Sequence, residues 1–132
     1  LEQANAALAE RFSPRLVREA SEIFSELTGG RYARVQISRQ MELEAGQPDA
    51  AMRRSLFLSG GTADELYLSV RLAVCRLLLP EDAPLLLDDA LVMFDDDRLR
   101  LALRLLQREA ANRQILLFTC QHREQKALTT DL

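Results

Sequence analysis

The chain has one lysine, one histidine, two cysteines and no tryptophan among its 132 residues. Because Lys126 is the only lysine, no Gly-x-x-x-x-Gly-Lys-Ser/Thr run occurs, which excludes a phosphate-wrapping loop of that kind from this stretch. Cys75 and Cys120 lack CxxC spacing and have no further sulfur ligands around them, so neither a disulfide framework nor a zinc site is indicated and reduced thiols are expected. No apolar run reaches membrane-spanning length, since Arg76 and the Glu81-Asp82 pair interrupt the richest stretch; a soluble, cytoplasmic protein with no membrane partner is expected. A formal charge of −3 with dispersed arginines leaves no basic footprint for nucleic acid. Arg100, Arg104 and Arg108 form an i, i+4 ladder that reads as a solvated helix face.

What is present is enough for one domain with a real core, at 48% hydrophobic residues. The chain opens at Leu1 instead of Met, so a fragment of a longer protein is expected. Its organising stretch is Leu58-Ser59-Gly60-Gly61-Thr62, followed by a helix that stops at Pro80. Two glycines permit a tight turn and close approach of bare N–H groups to a ligand, with the Ser59 hydroxyl beside them, which is the chemistry of an anion cradle. Thr62 and Glu65 match a capping box, predicting a helix start at about Ala63 with its positive end facing the glycines. Leu66, Val70, Ala73, Val74, Leu77 and Leu78 are its expected buried stripe.

Leu85-Leu86-Leu87 is a short apolar run ending in Asp88 and Asp89, the pattern of a buried parallel strand that delivers two carboxylates to its carboxyl end. After Met93-Phe94-Asp95-Asp96, the positions Leu99, Ala102, Leu103, Leu106 and Ala110 give a helical stripe, and Ile115-Leu116-Leu117-Phe118 a second buried strand. Strand, helix and strand predict a right-handed crossover with Asp88 and Thr119 at one carboxyl edge, where ligands bind in open parallel sheets. Residues 121–132 are expected to form a short helix and fray. Toward the N-terminus, Leu1, Leu8 and Phe12 suit the last turns of a coiled coil. Ser13-Pro14 reads as an N-cap with proline in the first turn of a second helix that buries Leu16, Ala20, Ile23, Phe24 and Leu27 and ends at Gly29-Gly30. Ala33, Val35 and Ile37 alternate in one strand, Met41 and Leu43 in another, and a third is expected near Ser55 to Phe57.

This order of glycine loop, helix, apolar strand with two acids, and Asp-bearing loop resembles the C-terminal half of an ABC-type ATPase head. Within that group it is most similar to the SMC/RecN/RecF branch, whose heads sit on coiled-coil arms. The likeness runs from about Pro14 onward and is strongest over Leu58 to Leu79, with Asp64-Glu65-Leu66-Tyr67-Leu68 and Val70-Arg71-Leu72-Ala73. It implies an α/β fold, the C-terminal half of a P-loop NTPase head. Residues 1–30 would be the end of the arm and the helix that enters the head. Residues 31–132 would be the lobe itself, with a β segment at 31–57. It also implies ATP and Mg²⁺ as ligands and hydrolysis at a site shared by two heads. The implied partners are an N-terminal lobe carrying the missing loop, a second head of the same kind, and DNA with a nuclease subunit in repair or chromosome maintenance at the nucleoid.

The resemblance assigns roles residue by residue. Leu58, Ser59, Gly60, Gly61 and Thr62 match the signature loop that caps the nucleotide of the other head. Asp88 matches the Walker B aspartate, a hard oxygen ligand of the kind Mg²⁺ takes in phosphate sites. Asp89 stands where most of the superfamily has the glutamate that positions or deprotonates the attacking water. Its carboxylate is set back by one methylene, which bears on speed. Asp95 matches the D-loop aspartate at the head interface, and it also suits a helix N-cap. The γ-phosphate sensor role falls to His122 or Gln121, because the usual place of that histidine is held by Cys120. A phospho-accepting receiver domain fits less well, lacking a lysine at the end of the last strand. A non-catalytic interaction module that kept the fold is the remaining alternative.

Overall fold

The computed structural model describes residues 2–38, 42–80 and 82–130, with side chains from Pro14 to Thr129. Helix α1 runs unbroken over Glu2–Leu27 with Pro14 inside it, so the expected new start at Ser13-Pro14 does not occur. An internal proline forfeits one backbone hydrogen bond and costs about 3 kcal/mol, a local penalty that the continuous helix absorbs. From Ala20 onward the helix buries Ala20, Ile23, Phe24 and Leu27, the face read from the sequence. It ends as expected at the paired glycines: Gly30 N–H donates to Ser25 C=O (2.7 Å) and Gly29 N–H to Glu26 C=O (3.1 Å). With Gly29 at φ 60° and Gly30 at φ 82°, this is a Schellman stop in which side chains would be strained.

A three-stranded antiparallel sheet follows, β1 (Arg34–Ile37), β2 (Leu43–Gly46) and β3 (Arg53–Arg54), in that order. Val35 pairs with Ala45 and both are buried, while Arg34 and Gln36 face out. The Ser21 hydroxyl accepts the Val35 N–H at 2.9 Å and so ties α1 to this sheet. The third strand lies just before the predicted one. Ser55–Phe57 instead forms a 3₁₀ turn with Leu56 and Phe57 exposed. Met41 lies outside the described residues.

Helix α2 spans Gly60–Leu78 and packs along α1. Its buried positions are Gly61, Thr62, Glu65, Leu66, Leu68, Ser69, Leu72, Ala73 and Cys75, so the predicted stripe is rotated: Leu66 and Ala73 are in it, whereas Leu78 is 56% exposed. The helix starts earlier than the capping box implied, which turns Thr62 and Glu65 inward. Strand β4 (Leu85–Asp88), helix α3 (Asp96–Glu109), strand β5 (Ile115–Phe118) and helix α4 (His122–Thr130) complete the chain. Strands β4 and β5 pair in parallel with Asp88 opposite Phe118. Only one face of this pair is covered: Leu85 and Leu87 are buried, but Leu86, Leu116 and Phe118 are exposed, so the expectation of strands buried on both faces fails on one side. Arg76 holds three helices together, pairing with Glu109 of α3 and with Glu19 of α1 at 3.1 Å. No described helix is long and apolar enough to cross a membrane.

Candidate nucleotide site

The glycine loop sits at the N-terminus of α2, with Ser59 as N-cap in extended conformation. Its carbonyl accepts the Ala63 N–H at 2.8 Å, and its hydroxyl lies 2.9 Å from that of Thr62 instead of capping the helix. The first-turn N–H groups are therefore left for an anion, and the helix dipole favours one there. Neither Gly60 nor Gly61 has positive φ, so the tight turn expected of them is absent. Their lack of a side chain serves close packing. A Cβ on Gly61 would strike the Arg98 guanidinium and lie 3.0 Å from the Met93 carbonyl, and one on Gly60 would come within 3.3 Å of the Met93 methyl.

Beneath this loop, Glu65 is 1% exposed and faces Arg98, whose Nε is 3.4 Å away. Burial pushes the Glu65 carboxyl up to about 7, against the pull of Arg98 and Arg31 and with a small push from Asp95. The sequence signal for Glu65 was that of a surface cap; its burial followed from the earlier helix start, and Arg98 gave no signal beyond its spacing from Asp95.

The acid pair lies at the carboxyl edge of β4. Asp88 and Asp89 are exposed, and the Asp88 carboxylate has no hydrogen-bond or ion-pair partner among the described residues. Asp89 adopts φ 46°, a left-handed conformation that aspartate tolerates better than most residues. Its backbone N–H donates to Phe118 C=O (2.9 Å) and its carboxylate accepts the Cys120 N–H (3.1 Å), which fastens the ends of β4 and β5 together. Both acids line a cleft of about 220 Å³ with Asp64, Tyr67, Leu68, Arg71 and Ala90. None of residues 58–62 lines it, although Asp64, two residues beyond Thr62, does. A single unpaired carboxylate at a strand end fits Mg²⁺, which keeps several waters and takes its other ligands from phosphates. No described cluster of three or more His, Cys, Asp or Glu residues could hold a metal alone.

The loop from Asp89 to Asp95 runs from the acid edge to the glycine loop, where Met93 lies against Gly60 and Gly61. Asp95 caps α3 by accepting the Arg98 N–H at 2.9 Å, in keeping with one of its two expected roles. Arg123 of α4 donates to the carbonyls of Leu91 (3.0 Å), Val92 (3.1 Å) and Phe94, pinning the loop to the segment after β5. That segment carries half-buried Gln121 and exposed His122 beside the acid edge, with the Gln121 N–H on the Thr119 hydroxyl at 3.0 Å. Arg123 was not singled out from the sequence, where it reads as one charge among many on a short polar helix.

No family model matches the chain. The uncharacterized protein YhaN of Bacillus subtilis (strain 168) is 36% identical over 110 residues, 81% of this chain and 11% of that protein, so the chain spans about a ninth of the curated relative it matches. Among solved structures, one from work on ATP-driven dimerization and DNA-stimulated activation of SMC ATPases superposes with a TM-score of 0.76 at 20% identity. It covers 93% of this chain and 76% of that one. The Smc head domain of Pyrococcus furiosus, solved with an extended coiled coil and bound to the C-terminal domain of ScpA, gives a TM-score of 0.73 at 19% identity, covering 96% of this chain and 33% of that one. The fold of this chain is that of the C-terminal lobe of an SMC-type ATPase head.

Proposed function

We propose that this chain is one lobe of an ATPase head that hydrolyses ATP at a site shared by two heads, in DNA repair or chromosome maintenance. The observation that carries this reading is the parallel β4–β5 pair, which brings Asp88, Asp89 and the Thr119–His122 segment to one edge. On this reading the cradle, Leu58 to Thr62, would cap a nucleotide held by a second copy, while the acids would serve the nucleotide of their own head. Bound ATP with Mg²⁺ supplies the γ-phosphoryl group. Asp88 would hold the ion, Asp89 would orient and deprotonate the attacking water, and His122 or Gln121 would contact the γ-phosphate.

Two apolar surfaces support the partners. Leu86, Leu116 and Phe118 leave one sheet face bare, which suits the lobe that carries the phosphate-wrapping loop. Leu56 and Phe57, 78% and 71% exposed, stand directly before the cradle, where a second head would cover them. The non-catalytic reading draws on one fact: the Asp89 carboxylate is already engaged by the Cys120 amide. Turnover decides between them. The intact protein should hydrolyse ATP, whereas this chain alone should bind it weakly and turn none over, having no phosphate-wrapping loop. Calorimetry showing micromolar affinity of the isolated chain for Mg-ATP would contradict the half-site reading, and an intact protein with no ATPase activity would favour the module.

A further inference from the structure

We propose that Arg98 is a positioning residue that locks the glycine loop (59–62) and the acid loop (93–95) into one unit, so that occupation of the cradle sets the placement of Asp95. The proposal rests on the ATPase-head reading above. Arg98 projects from the first turn of α3, yet its side chain is only 15% exposed because it crosses to α2. One terminal nitrogen, Nη2, donates to the Thr62 hydroxyl at 3.2 Å, and that hydroxyl in turn lies 2.9 Å from the one on Ser59. The other, Nη1, is 3.5 Å from the Asp95 carboxylate. Nε faces Glu65 at 3.4 Å. The guanidinium thus touches both loops at once, and Gly61 must lack a side chain for it to lie there.

Lysine could neutralise Glu65 but could not reach three partners in fixed directions, because the planar fork is what supplies them. A buried ion pair contributes little net stability, so its worth here lies in register. The pair is also unfinished: neither Glu65 oxygen nor Arg98 Nε has a hydrogen-bond partner among the described residues, and 3.4 Å is longer than the roughly 2.7–2.9 Å of a charge-assisted bond. A small approach of the first turn of α2 toward α3 would complete it. An anion that draws on the first-turn N–H groups acts on that same turn, and Asp95 lies on the far side of the same guanidinium.

The test uses the intact protein with Arg98→Gln and Arg98→Lys. Without nucleotide, amide hydrogen exchange in Arg98→Gln should rise at least fivefold at both 61–63 and 94–99, while amides at 70–78 stay within twofold of the parent. Arg98→Lys should leave 61–63 raised, since the fork to Thr62 is lost. Loosening of one loop without the other, or full recovery of both by lysine, would overturn the proposal. With ATP, Arg98→Gln should lower kcat at least tenfold with KM within twofold, because nucleotide is held mainly by the other lobe. An unchanged kcat, or a KM that rises in step with kcat loss, would also overturn it. A parent without turnover would contradict the ATPase-head reading instead, and the exchange experiment would still decide whether Arg98 joins the loops.

Discussion

The glycine loop and the acid edge of β4, the two candidate functional regions of this chain, are built in opposite ways. The first is held from beneath: Gly61, Thr62 and Glu65 are buried, and each meets Arg98. The second is open: Asp88 and Asp89 are exposed at the mouth of a cleft, fastened only through backbone groups and the Asp89 carboxylate. A cradle that must present N–H groups to another molecule's phosphate has to be rigid before the partner arrives, since ordering it on contact would cost affinity. Acids that hold a hydrated ion and a water need access and charge more than support. Substitutions on the open side are therefore expected to change chemistry, and those on the tied side to change stability and assembly.

The largest effect is expected on the open side. Asp89→Asn in the intact protein should cut ATP turnover by roughly 2–4 orders of magnitude, the range for a lost general base, and lengthen the life of the closed dimer, because the amide keeps the shape and removes the proton acceptor. Asp88→Asn should instead weaken Mg²⁺-dependent binding and prevent closure, since the ion is held less well. Measuring affinity, turnover and dimer lifetime for both variants separates the roles, and identical defects would show that the two acids do not divide the work.

On the tied side, Glu65 makes stability depend on pH. Its carboxyl is raised from 4.5 to about 7, so the folded state binds more protons than the unfolded one between those values. The contribution is present in full below about 4.5 and is lost as pH rises through about 7, up to about 3 kcal/mol at 1.36 kcal/mol per unit. The charged groups acting on it are Arg98, Arg31 and Asp95. Unfolding midpoints of Glu65→Gln should be flatter than those of the parent over this range; parallel curves would mean that Glu65 is not the group responsible.

The smallest effect distinguishes the two glycines. Gly61→Ala should lose about 1–2 kcal/mol, overpacking against the Met93 backbone carbonyl and Arg98 outweighing the helix propensity gained. Gly60→Ala should change stability by less than about 0.5 kcal/mol, because only the flexible Met93 methyl stands near. Equal losses in nucleotide-free unfolding would remove close packing as the reason for Gly61.

The difference between the two regions also decided what could be read from the sequence. The open edge was legible: an apolar run ending in two acids, a capping Asp95 and a second apolar run fix β4, α3 and β5 through local patterns, and each lies where expected. The stop at Gly29-Gly30 was equally local. The tied side was misread because its logic is tertiary. Thr62 and Glu65 satisfy the capping-box pattern, but the helix begins at Gly60 and spends both side chains on the contact with Arg98. Pro14 marks a helix start in local terms, yet α1 passes through it. Bare faces were invisible for a similar reason: Leu86 and Leu116 look like core, and no pattern in this chain says that they are left exposed.

The central claim is that the cradle acts on a nucleotide held by another head. Ser59→Arg tests it most directly, since a bulky cation would fill the cradle that should receive that nucleotide's γ-phosphate while leaving the other lobe's contacts alone. Light scattering of the intact variant with Mg-ATP should show no ATP-dependent dimer, while single-head nucleotide affinity stays within about twofold of the parent, well under the tenfold that 1.4 kcal/mol represents. A variant that dimerises with ATP as the parent does would contradict the account.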